Sequence, residues 1–166
     1  TLVLGPTGAG KTFLACVLAN AACRADLTVR YHRTSRLLHH LALAHADGSY
    51  AQFLESLARL HLLVLDDFGM KELSPQQAED LYELICERYR VGSMIVASNR
   101  APKDWYALFP NPVFAEGALD RLVNSAHQVL MPGRSYRPVH RPDQGVMPQV
   151  QESTTEGARQ GGESGA

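Results

Sequence analysis

Near the start of the chain, eight residues have the types and spacing to hold a run of phosphates: Gly5-Pro6-Thr7-Gly8-Ala9-Gly10-Lys11-Thr12. They fit the pattern GxxxxGK[ST], the Walker A loop, at every fixed position. The glycines let the backbone turn tightly, so that N–H groups point inward at phosphate oxygens. A helix starting near Lys11 would add its positive dipole end. Lys11 is then placed to reach the β- and γ-phosphates of ATP, and Thr12 to ligate Mg2+ through its hydroxyl. The alternative is a chance glycine-rich turn. Against it stands the context, which is strand, loop and helix in the required order: residues 1–4 are strand-like, apolar from Leu2 on, and residues 11 to about 25 are rich in Ala and Leu.

A second constellation supplies the metal and water side. Leu62-Leu63-Val64-Leu65 is followed directly by Asp66-Asp67, a buried strand delivering carboxylates to its C-terminal end. This is the Walker B arrangement, in which Asp66 would hold Mg2+ through water and Asp67 would orient or deprotonate the attacking water. Two solvated aspartates at an ordinary strand boundary are the alternative. The next apolar run ends in Ser98-Asn99-Arg100. An Asn there can donate to the γ-phosphate or position the water, the role called sensor 1, although Ser and Asn are also common turn residues. Sites of this kind gather beyond the C-terminal ends of parallel strands.

The elements needed to position these groups are legible as alternating patterns. Strands are expected at 1–4, 27–32, 62–65, 93–98 and 126–131, and helices at 11 to about 25, through Ser74-Pro75 to Arg90, and at 114–124. Two amphipathic stretches, 35–46 and 50–60, flank the turn Asp47-Gly48-Ser49. Strands alternating with helices argue a three-layer α/β fold of the P-loop NTPase kind, with a mainly parallel five-stranded sheet. From about Pro138 the composition shifts to Pro, Gln, Gly, Ser and Glu, so 138–166 is expected to be a disordered tail.

With 166 residues, 45% hydrophobic and 20% charged, the chain can bury one core. Its formal net charge of −1 excludes a strongly basic protein. Any nucleic-acid contact must come from a local patch or from several copies assembled. Such a patch exists: Arg30, Arg33 and Arg36, with His32, His39 and His40, form a short segment without an acid. Arg33 and Arg36 would share a helix face if the helix reaches that far; a solvated cationic face is the alternative. His39 and His40 are expected to be partly exposed. The seven histidines show no metal-ligand spacing. Cys16, Cys23 and Cys86 read as buried small hydrophobes in a reducing cytoplasm. Neither secretion nor membrane spanning is suggested by these residues, which show no signal-peptide pattern and no apolar run near the roughly 18 residues a membrane span needs. The chain opens inside a strand and without Met, so it is expected to be a fragment or to have its start assigned too far downstream.

Taken together, the chain resembles the IstB/DnaC-type AAA+ ATPases, on their insertion-sequence side. The residues that carry the resemblance are GPTGAGKT (5–12), DGSYAQFLESLARLHLLVLDDFG (47–69), LICERYR (84–90), SNRAPKDWYALFPNP (98–112) and ALDRLVNSAHQVLMPGRSYR (118–137). The resemblance implies an AAA+ core over 1–137 that binds ATP and Mg2+ and hydrolyses ATP. It implies a homo-oligomer that assembles on double-stranded DNA and regulates or recruits a transposase. It puts Arg121, in Asp120-Arg121-Leu122, where the family has an arginine finger reaching a neighbour's nucleotide; Arg137 is a weaker carry-over. It also implies that the strand bearing Asn99 lies beside the first strand, and that the basic stretch faces DNA, as in helicase loaders. Two departures stand out. Asp67 occupies a position where many AAA+ enzymes have Glu, which implies slow or assembly-dependent hydrolysis. The helical region that family members carry ahead of the loop is missing, which weakens the expectation of stable DNA binding. Three alternatives remain: a replicative helicase loader, a small-molecule kinase on the same loop, and a nucleotide-binding switch without turnover. The strand ending Tyr31-His32-Arg33 offers no acid for a kinase acceptor.

Overall fold

The structure, a computed structural model, describes residues 1–133 and 135. Arg137 and the tail from 138 lie outside the described residues. The elements in chain order are β1 (Leu2–Leu4), α1 (Lys11–Arg24), β2 (Val29–Arg33), α2 (Thr34–Asp47), α3 (Tyr50–Ala58), β3 (Leu62–Asp66), α4 (Pro75–Arg88), β4 (Ser93–Ser98), a 3-10 helix (Pro102–Leu108), α5 (Pro112–Asn124) and β5 (Gln128–Leu130). The five strands form one sheet in the order β2-β3-β4-β1-β5, each pairing parallel. The fold is therefore the expected α/β one, and β4 does lie beside β1.

Alternation along the strands divides the core in two. Leu2, Leu4, Leu63, Leu65 and Val96 face a large core built with α2, α3, α4 and α5. Val3, Leu62, Val64, Ile95 and Ala97 point the other way, onto Ala15 of α1 and its neighbours Leu14, Ala19 and Ala22. One layer is thus a single helix among the described residues, and the flank of α1 turned away from the sheet stays open. Phe13 is 75% exposed. Cys16 and Cys23 lie on that exposed surface and Cys86 is only partly covered, which overturns the expectation of three buried cysteines.

The helix ends follow local chemistry. Ser74 caps α4 by accepting from the Gln77 amide at 3.2 Å, Gln77 returns the bond to the Ser74 amide at 3.1 Å, and Pro75 opens the first turn. Such a capping box stabilises a helix by about 1 kcal/mol. The helix stops at Arg88, short of the expected Arg90. The buried Arg88 guanidinium donates to the carbonyls of Leu60 (3.1 Å) and Ser93 (2.7 Å), drawing the chain back toward β4. Tyr89 is extended and Arg90 adopts φ +63° to make that turn. α5 begins at Pro112, two residues earlier than expected, because Asn111 accepts from the Val113 amide at 2.9 Å. α2 begins at Thr34, so Arg33 ends a strand and does not share a helix face with Arg36. Among the described residues, no helix is long and apolar enough to cross a membrane.

Candidate nucleotide site

β1 delivers the loop, and the loop starts α1. The Gly5 amide donates to Ser98 O at 3.3 Å, tying the loop to the end of β4. Gly8 and Gly10 take φ +85° and +90°, left-handed values that a residue with a Cβ rarely adopts. Gly10 sits at the N-cap of α1 in that conformation, so the first amides of the helix open toward the loop. A Cβ on Gly5 would stand 2.5 Å from Met131 O, so the chain leaving β5 also requires glycine there. Lys11 Nζ donates to Pro6 O at 2.9 Å, bending its side chain back over the loop.

Asp66 ends β3 and is 2% exposed. Burying a carboxylate is costly unless its oxygens are bonded, and three donors meet it. Oδ2 accepts from Thr12 Oγ1 and from the Tyr31 hydroxyl, both at 2.7 Å, and Oδ1 accepts from the Asp67 amide at 2.9 Å. Residues 12 and 66 are thereby brought together across 54 positions of sequence. Burial, and then the bond to Asp66, push the Tyr31 phenol up to about 12, so it stays a protonated donor near neutral pH.

Asp67 leaves the strand with φ +53°, uncommon for a non-glycine residue. The following turn is pinned: Phe68 N donates to Ala97 O at 2.9 Å, and Ser98 Oγ donates to Phe68 O at 2.7 Å. The fully buried Trp105 packs edge-on to Phe68, with ring centroids 4.7 Å apart. The Asp67 side chain itself is about half exposed and lies 3.8 Å from Arg33 Nε. Asn99 follows β4, whose last residue Ser98 is in register with Leu4 of β1. Asn99 therefore stands next to the start of the loop and is exposed. Arg121 is not brought to this site. It lies with Thr1 and His127 at the opposite end of β1 and β5. There it donates to Gly117 O at 2.6 Å and packs against the rings of Tyr82 and Tyr89.

Comparison with known proteins decides the family. The description "IstB-like ATP binding protein" matches residues 1–143. The chain belongs to the IstB-like ATP-binding family. Among curated relatives, it is 51% identical over 139 residues to a putative ATP-binding protein in an insertion sequence of Mycobacterium tuberculosis, covering 83% of this chain and 55% of that protein. It is 42% identical over 135 residues to a putative insertion sequence ATP-binding protein of Sinorhizobium fredii, covering 81% and 55%. The chain thus spans about half the length of the curated relatives it matches. Among solved structures, the DnaC helicase loader superposes with a TM-score of 0.68 at 21% identity, covering 78% of this chain and 76% of that one, a likeness of fold.

For an IstB-like chain, the donor set at the loop suits a hard cation: a hydroxyl on Thr12 and carboxylate oxygens on Asp66. Among the described residues, no group of three or more His, Cys, Asp or Glu could hold a metal unaided. Mg2+ would therefore draw its remaining ligands from water and from the phosphates of the nucleotide. The residue that sequence reasoning missed is Tyr31. Its signal lay only in the pairing of β2 with β3, which no local pattern discloses.

Proposed function

We propose that this chain binds ATP with Mg2+ at Gly5–Thr12 and hydrolyses it as the nucleotide-dependent helper of DNA transposition. The observation that carries the reading is the 2.7 Å bond from Thr12 to Asp66, a metal-side hydroxyl and carboxylate meeting beside a phosphate loop. The amides of residues 5–10 and the helix N-terminus cradle the phosphates, and Lys11 neutralises charge on the β- and γ-phosphates. Thr12 and Asp66 would hold Mg2+, which would screen phosphate charge when bound. Asp67, half exposed and aimed out of the strand end, orients the attacking water. Asn99, across from Gly5, senses the γ-phosphate. Arg121 supplies its charge to a neighbouring subunit, so turnover depends on assembly.

Family membership and relatives named for insertion sequences favour a role in transposition, with duplex DNA and a transposase as partners. Of the cationic stretch Arg30, Arg33 and Arg36, the side chains of Arg30 and Arg33 leave β2 on opposite faces and Arg36 lies in α2; DNA phosphates would be met by these exposed cations singly rather than by one continuous face. Phosphate release measured with Mg2+, with and without duplex DNA, tests the reading. Release is expected to rise with DNA and to vanish in Lys11→Ala. ATP consumption that ignores DNA and requires a small-molecule acceptor would replace the reading with a kinase.

A further inference from the structure

We propose that Tyr31 is a positioning residue for the metal-side carboxylate, fixing which oxygen of Asp66 faces the cation. The inference rests on the reading of the loop as a Mg2+–ATP site. In the pairing of β2 with β3, Tyr31 stands opposite Val64 and Arg33 opposite Asp66. Side chains 31, 33, 64 and 66 therefore share one face, the face covered by α1. Asp66 is the diagonal neighbour of Tyr31, a separation of about 7–8 Å between backbones that only a long or aromatic side chain bridges. The phenol bridges it, donating to Oδ2 at 2.7 Å.

The acceptor count gives the bond its consequence. A carboxylate offers about four lone-pair directions. Thr12 and Tyr31 both donate to Oδ2, and the Asp67 amide donates to Oδ1. The open direction is on Oδ1, where the carboxylate would receive a water carried by a cation. The Thr12 hydroxyl keeps its proton on Oδ2, leaving its own oxygen lone pairs for the metal. Without the phenol, Oδ2 regains an open direction and the carboxylate can receive the metal's water through either oxygen. The phenol is well suited to this task because its single O–H donates to one oxygen and its ring spans the diagonal. Tyr31 is 39% exposed, so Tyr31→Phe keeps the ring packing and removes a single hydroxyl.

The test is a Mg2+ titration of fluorescent ATP-analogue binding to this chain, with an EDTA baseline. In Tyr31→Phe, the Mg2+ concentration for half-maximal binding is expected to rise about three- to tenfold, the factor that one hydrogen bond of ordinary net strength commands. Binding in EDTA stays at the wild-type level. In an Asp66→Asn background the same exchange adds no further shift, because the oxygen it positions no longer carries charge; a merely structural effect would add. An unchanged Mg2+ midpoint in Tyr31→Phe, or the same shift in the Asp66→Asn background, overturns the assignment while leaving the nucleotide site intact. Wild-type protein without Mg2+-dependent nucleotide binding overturns both.

Discussion

Replacing Arg121 by alanine asks whether the site is completed by a second subunit. The guanidinium lies beside Thr1 and His127, where β1 and β5 begin, whereas the loop begins at Gly5 past the other end of β1. The two levels are four strand residues apart, about 13 Å at roughly 3.3 Å per residue, too far for Arg121 to reach its own nucleotide. Its two ring contacts are each worth about 0.5–1 kcal/mol at a partly exposed position. The transition-state contribution of an arginine finger, about 10³-fold or more in rate, corresponds to about 4 kcal/mol. The Tyr82 and Tyr89 contacts therefore do not prevent the side chain from turning to a neighbour. Arg121→Ala is expected to bind ATP as wild type does and to hydrolyse it about 10³-fold more slowly. The decisive assay mixes Arg121→Ala subunits with Lys11→Ala subunits. On the proposed trans role, a working site would need Lys11 from one subunit and Arg121 from the next, so random equal mixing would restore about a quarter of the sites, each at the assembled rate. Mixtures that remain inactive at every ratio, or full activity of Arg121→Ala alone, would rule out a trans role for Arg121.

Two further predictions concern stability. Trp105→Ala removes a fully buried ring from beside Phe68 and Gly69; urea denaturation should show a loss of about 3–5 kcal/mol, and a loss below about 1 kcal/mol would contradict the packing described. The second uses pH. Burial first, then Arg30 and His40, hold His32 below its ordinary 6.5, and its Nε2 is buried without a partner. The folded state resists protonation where the unfolded chain accepts it, so stability is full above about 6.5 and falls as pH drops through the window below. Denaturation midpoints between pH 7 and 5 should decline in the wild type and flatten in His32→Asn; equal slopes would remove His32 as the cause.

Much of the site was readable because the sequence states local requirements directly. A tight phosphate loop needs glycine where φ is positive, and Gly8 and Gly10 show it; a strand that ends in the site needs apolar residues and then an acid, as residues 62–66 show. What escaped depends on register or on distant partners. Tyr31 reaches Asp66 only because β2 and β3 pair as they do. The end of α4 is set by carbonyls of Leu60 and Ser93 that the helix pattern does not contain. The exposure of Cys16 and Cys23 follows from the sheet face that α1 covers alone, a property of layering and not of the helix sequence. The 3-10 helix is too short to show periodicity, although Pro102 marks its start.

The proposed function stands on ATP hydrolysis through Asp67. The most direct measurement is single-turnover release of phosphate from ATP, comparing wild type with Asp67→Asn at matched nucleotide occupancy in Mg2+. Release by the wild type, abolished by EDTA, is expected, with a fall of about 10²-fold or more in Asp67→Asn and binding retained. Equal rates in the two proteins, or no release by wild type at any protein or DNA concentration, would contradict it.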